Sequence, residues 1–93
     1  MAEDQIHLQI VTAAGVAFDT MASYVGLPLP DGSIGVLANH APVLAAIAAG
    51  TVECVCQGQR QKVPVGDGIV QIHNNQVTLL TQPVGESETN GNE

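Results

Sequence analysis

Positive charge is what this chain most lacks. Arg60 and Lys62 are its only basic residues, against nine acidic ones, for a formal net charge of −7. Binding a phosphate backbone requires several Lys or Arg side chains to release condensed counterions, so nucleic acid is excluded as a partner. The same deficit makes an anionic membrane surface repulsive. Aromatic residues are almost as scarce, with Phe18, Tyr24 and no Trp. A sugar-binding sandwich therefore lacks its usual stacking face, and no clustered carboxylates are present to hydrolyse a glycoside. No apolar run approaches the roughly 20 residues that span a bilayer. The longest, from Ala41 to Ala49, contains Pro42. The first residues, Met1-Ala2-Glu3-Asp4, are acidic and have no signal-peptide apolar region behind them. We therefore expect a cytosolic protein, or one peripheral on the cytosolic side of a membrane.

Cysteine is limited to Cys54 and Cys56. On a strand that spacing places both on one face with Cα atoms roughly 6.5–7 Å apart, at or beyond the usual disulfide limit. Both are expected to be reduced, buried and Val-like. His7, His40 and His73 fall in no zinc-ligand spacing, so no metal is expected.

What is present is short-period alternation. Hydrophobic residues make up 45% of 93 residues, enough for one thin core built from Val, Ile, Leu and Ala. Ile6, Leu8 and Ile10 alternate with His7, Gln9 and Val11, the period of a half-buried strand. Val25, Leu27 and Leu29 share the face assigned to the core, opposite Tyr24, Gly26 and Pro28. Pro28 and Pro30 argue for a strand end or edge. Pro30-Asp31-Gly32-Ser33 is a tight turn and Asn39-His40-Ala41-Pro42 an irregular corner. Val43–Ala49 reads as a strand despite its alanines, because it is short and ends at Gly50. Val52, Cys54 and Cys56 alternate inward, and Gln59–Val65 returns as their hairpin partner. Ile69–His73 and Gln76–Thr81 form a hairpin through an Asn74-Asn75 turn of the I′ kind. Eight to ten short strands without a long amphipathic helix predict an all-β fold, two packed antiparallel sheets; a small closed barrel is the alternative. The expected organisation is one domain over residues 1–81 and a disordered polar tail over 82–93.

Catalytic patterns are weak. Ser23, Ser33 and Ser87 occupy no nucleophile elbow. His40 and Asp31 could be drawn as part of a triad, but a histidine beside Ala-Pro is better read as fixing a loop or touching a partner. Gly66-Asp67-Gly68 has neither the Lys nor the following helix of a phosphate-binding loop.

The residues that carry more information are Asp31-Gly32, Ile34-Gly35-Val36-Leu37, His40-Ala41-Pro42-Val43-Leu44, Ile47 and Gly50. They follow Val11-Thr12-Ala13 and Phe18, and precede Gly68-Ile69-Val70-Gln71-Ile72 and Asn75-Gln76-Val77-Thr78-Leu79-Leu80. In order and spacing this series resembles the N-terminal domain of the epsilon subunit of bacterial F-type ATP synthases, over about residues 5 to 81. The resemblance implies a β-sandwich of about ten strands in the rotating central stalk. It implies a non-catalytic subunit, without a cofactor, that couples rotation of the membrane c-ring to the gamma subunit. Carried over by motif position, Thr12, His40, Pro42 and Ala45 lie on the gamma side, and Asp31, Gly32 and Ser33 on the c-ring side. Membrane association is then only through the complex, peripheral on the cytoplasmic side.

Two departures from the family pattern stand out. Ser33 occupies a position where members usually carry an acidic residue, which implies a weaker ring contact or one in which Asp31 substitutes. Most bacterial members continue into a C-terminal helical hairpin that inhibits hydrolysis. Here the sequence after the sandwich is a polar segment too short and too Gly/Pro-interrupted for two helices. Coupling without inhibition is the expectation, with a free-standing β-sandwich interaction module as the alternative.

Overall fold

The computed structural model describes residues 3–83; the polar tail expected over 82–93 lies outside the described residues from 84 onward. Alternation in the sequence becomes alternation in burial along the first strand, β1 (Ile6–Thr12), where Ile6, Leu8 and Ile10 are buried and the residues between them are half-buried. Eight further strands follow among the described residues: β2 (Gly15–Ala22), β3 (Tyr24–Leu29), β4 (Gly32–Leu37), β5 (Val43–Ile47), β6 (Gly50–Cys56), β7 (Gln59–Val65), β8 (Gly68–His73) and β9 (Gln76–Thr81). They form a five-stranded sheet, β2-β1-β9-β8-β5, and a four-stranded sheet, β4-β3-β6-β7. The fold is the expected two-sheet sandwich, with nine strands described where about ten were anticipated.

One pairing departs from the antiparallel expectation. β1 and β9 run parallel at the middle of the larger sheet, with Leu8 opposite Val77 and Ile10 opposite Leu79. Parallel neighbours need a long crossover, and here the crossover is the rest of the domain. The other pairs are antiparallel and mostly hairpins. Asn74 and Asn75 both adopt positive φ, 51° and 61°, as the I′ turn between β8 and β9 requires. In the β3–β4 hairpin Pro30 and Asp31 form the tip, and Gly32 follows at φ 149°, a conformation that favours glycine. Pro28 fits the edge reading in a specific way. β3 pairs with β6 only over Tyr24–Gly26, so Pro28 lies beyond the point where a second neighbour would need its missing N–H.

The inner faces of the two sheets supply the core. Leu8, Leu27, Val52, Val77 and Leu79 are fully or almost fully buried, and Phe18, Leu29 and Ile34 pack at its margin. Cys54 and Cys56 are free and buried on this inner side, their sulfurs 3.5 Å apart. Burial pushes the Cys54 thiol up to about 12, with the neighbouring Cys56 adding to the shift, so it is a packing group rather than a nucleophile. Tyr24 lies on the outer face of the smaller sheet against Gly26 and Gly35, where a Cβ would sit 3.0 Å from its ring or hydroxyl. The ring covers backbone that those glycines leave bare.

Candidate functional site

The register of the larger sheet determines what its outer face presents. Val11 lies opposite Val16 on β2 and opposite Leu80 on β9. Leu80 in turn lies opposite Ile69 on β8, and Ile69 opposite Ala46 on β5. An unbroken apolar row, Val16–Val11–Leu80–Ile69–Ala46, therefore crosses all five strands on the side away from the core. It is open to solvent: Val16 is 60% exposed, Leu80 50% and Ile69 46%. Leu44, 75% exposed, flanks it on β5. Next to the row lies a polar rank, Asp19, Gln9, Thr78 and Gln71, and beyond that Met21, His7, Gln76 and His73. A contiguous apolar band on the surface of a small soluble domain marks a contact region.

Charge is nearly absent from this face. Both basic residues are on the other sheet, where Arg60 (2.9 Å) and Lys62 (3.9 Å) converge on Glu53. The carboxylate here is Asp19, and it is engaged. Its Oδ1 lies 2.7 Å from His7 Nε2, and its Oδ2 accepts a 3.0 Å hydrogen bond from Gln9. His7 Nδ1 lies 2.9 Å from Gln76 Oε1, an oxygen oriented by the Gln76 amide N–H donating to Thr78. Acceptors at both ring nitrogens suit the imidazolium, which donates from each. The hydrogen bond to Asp19 accordingly raises the His7 pKa above its ordinary 6.5, against a smaller lowering by desolvation. The same bond lowers that of Asp19.

The stability consequence has a definite sign. His7, raised on folding, stabilises fully below about pH 6.5 and loses that contribution as pH rises through its folded value. Asp19, lowered on folding, contributes above its ordinary 3.8 and loses its share as pH falls through its folded value. Replacing His7 with Gln should therefore lower Tm most near pH 5.5, with the gap to wild type narrowing by pH 8.5. Thermal melts at the two pH values check this; a constant gap would show that the pair adds no charge-dependent stability.

The residues expected on the gamma side do not form one cluster. His40 and Pro42 share the corner between β4 and β5, at the end of the sheet marked by the Asn74-Asn75 turn. There the Asn39 N–H donates to Asn75 Oδ1 at 2.6 Å. The His40 ring nitrogen Nδ1 lies 2.7 Å from the Ala41 carbonyl oxygen and donates to it, leaving Nε2 for a partner. Thr12 lies at the opposite end, where its hydroxyl accepts the Ala14 N–H at 3.1 Å in the β1–β2 turn. Ala45 is half-buried and packs against the core, opposite Val70; its neighbours Leu44 and Ala46 carry the outward positions. Thr12 borders a hollow with Val63, Pro64 and Val65 of β7. A body that touches both Thr12 and His40 therefore spans the length of the domain, and the outer face with its apolar row is the uncharged surface between these ends.

The residues expected on the c-ring side do cluster. Asp31, Gly32 and Ser33 are exposed together at the β3–β4 turn. This turn belongs to the Thr12 end: Pro30 borders a shallow hollow with Ala46, Ala48, Gly68 and Ile69. The turn and the His40 corner thus occupy opposite ends of β4, and Asp31 cannot form a catalytic pair with His40. Sequence reasoning missed the apolar row and the His7–Asp19 pair. The available signal was Val11, Ile69 and Leu80, apolar residues out of phase with the buried alternation of their own strands.

Residues 5–86 match the family model for the β-sandwich domain of the ATP synthase delta/epsilon chain. Similar proteins include the ATP synthase epsilon chain of Nitratidesulfovibrio vulgaris (strain DP4), 34% identical over 86 residues, which cover 92% of this chain and 64% of that one. The epsilon chain of Desulfitobacterium hafniense (strain DSM 10664 / DCB-2) is 32% identical over 81 residues, 87% of this chain and 61% of that one. The chain thus spans less than two thirds of the length of these curated relatives. Among solved structures, a chain of the Euglena gracilis mitochondrial ATP synthase superposes with a TM-score of 0.77 at 19% identity, covering 87% of this chain and 52% of its own. A central-stalk/c-ring structure of the Tetrahymena thermophila mitochondrial enzyme gives 0.68 at 10% identity, with 89% and 67% covered. These two likenesses bear on the fold. With the family model matched over all nine described strands, the chain belongs to the ATP synthase delta/epsilon chain β-sandwich domain family.

Proposed function

We propose that this chain is a non-catalytic central-stalk subunit of an F-type ATP synthase, coupling rotation of the c-ring to the gamma subunit during ATP synthesis. The observation that carries this reading is the apolar row across the outer face of the five-stranded sheet, almost free of charge, at the Thr12 end of a face whose far end is the His40-Ala41-Pro42 corner. Such a face suits a permanent protein contact, because the centres of interfaces are depleted of charge. Gamma lies along it from Thr12 to His40 and Pro42. Leu44 and Ala46 make the contact on β5, and Ala45 supports them from behind. The Asp31–Ser33 turn projects at the Thr12 end, opposite the His40 corner, where its polar groups rest on the ring. This polar turn suits the wet rim of an interface. The subunit is held at the cytoplasmic side of the membrane through the complex. Family membership over residues 5–86 favours this setting over a free-standing module.

The two contacts have separate addresses and should fail separately. Replacing Asp31 and Ser33 together with Ala removes exposed polar groups and should leave Tm and gamma binding unchanged. Ring attachment should weaken on the order of tenfold, read as c-ring retained on detergent-solubilised complexes. Equal losses at both partners would contradict the division. The function itself is tested by adding the purified chain to membranes stripped of this subunit. Ion-driven ATP synthesis should return with wild type, and its failure to return would overturn the proposal.

A further inference from the structure

We propose that Asn75 is a positioning residue for the docking corner, holding Asn39–Pro42 in the shape that gamma meets; this rests on the gamma-docking reading above. The corner has little structure of its own. Between β4 and β5 its backbone tie is the His40 N–H to the Leu37 carbonyl at 3.2 Å, and Asn39 stands in the left-handed region at φ 66°. Asn75, by contrast, is fixed. It closes the β8–β9 turn, and its carbonyl accepts the His7 N–H at 2.8 Å, tying the turn to β1. From that anchored backbone its side chain reaches across 36 residues of sequence. Oδ1 accepts the Asn39 N–H at 2.6 Å, and Nδ2 donates to Asn39 Oδ1 at 3.4 Å.

The turn by itself does not account for this residue. At φ 61° Asn75 sits where glycine serves a type I′ turn at least as well. What glycine lacks is the oxygen that satisfies Asn39. Without that acceptor the corner exchanges among conformations, and apparent affinity falls by the fraction of time the binding shape is lost. Asn75 acts through Asn39 on His40 and Pro42, with no contact to the partner required.

Two substitutions separate the clasp from the turn. Asn75→Gly keeps the turn and removes the oxygen; Asn75→Asp keeps the acceptor. In Asn75→Gly the Asn39 amide should exchange with solvent about tenfold faster or more, and gamma affinity should fall about 5- to 20-fold, with Tm unchanged. Asn75→Asp should stay within about twofold of wild type in both readouts. Faster exchange with undiminished affinity would overturn the positioning role, as would lost affinity with unchanged exchange. If wild type itself bound no gamma, the docking reading would fail and this role with it. Wild-type binding matched by Asn75→Gly would defeat the positioning role alone.

Discussion

Replacing Leu80 with Arg should abolish gamma binding while leaving the isolated domain folded. Leu80 is on β9, the middle strand of the five, between Val11 and Ile69 in the apolar row, and is 50% exposed. In the free domain an arginine there points into water. Its cost is limited to lost cross-strand contact, about 0.5–1 kcal/mol. In the complex the same guanidinium would be buried at the centre of an apolar contact with no carboxylate in its row to meet it. Central positions of this kind cost about 2–4 kcal/mol, roughly 30- to 1,000-fold in affinity. Titration calorimetry against gamma, paired with a thermal melt of the free variant, measures both halves. A Leu80→Arg variant that binds like wild type would remove the row from the interface.

The second large effect is on stability. Leu8 is fully buried on β1, opposite Val77 on one side and Thr20 on the other. Truncation to Ala removes three buried carbons and leaves a cavity that a sheet held by neighbours on both sides cannot close, a loss of about 2–5 kcal/mol. Native stabilities of about 5–15 kcal/mol make that a large fraction. This domain has no Trp and one Phe, itself at the core margin, so its aliphatic residues have few large neighbours to compensate. A loss of 3 kcal/mol lowers Tm by roughly 12–24 °C in a domain of this size. Calorimetry of Leu8→Ala should show that drop; a shift within about 4 °C would mean that the site relaxes to fill its void.

Local chemistry explains which features were legible in the sequence. The Asn74-Asn75 hairpin, the Pro30–Gly32 turn and the β1 alternation are dictated by residues adjacent in the chain, and each is present where it was read. The inward face of Cys54 and Cys56 follows from strand period alone. Features assembled across strands were not legible. In the all-apolar run Val43–Ile47 the sequence does not say which alternate set faces the core; pairing with Val70 turns Ala45 inward and leaves Leu44 out. The apolar row takes one residue from each of five strands, and no window of sequence contains it. Thr12 and His40 belong to one expected contact, yet their separation to opposite ends emerges only once β1 and β9 pair in parallel. The same holds for His7 and Asp19, which meet diagonally across β1 and β2.

The docking claim is tested most directly by mixing the purified chain with its cognate gamma subunit at micromolar concentration and measuring the mass of what elutes from size exclusion. A one-to-one complex, lost on Leu80→Arg, is the predicted result. Separate elution of two folded proteins would contradict it.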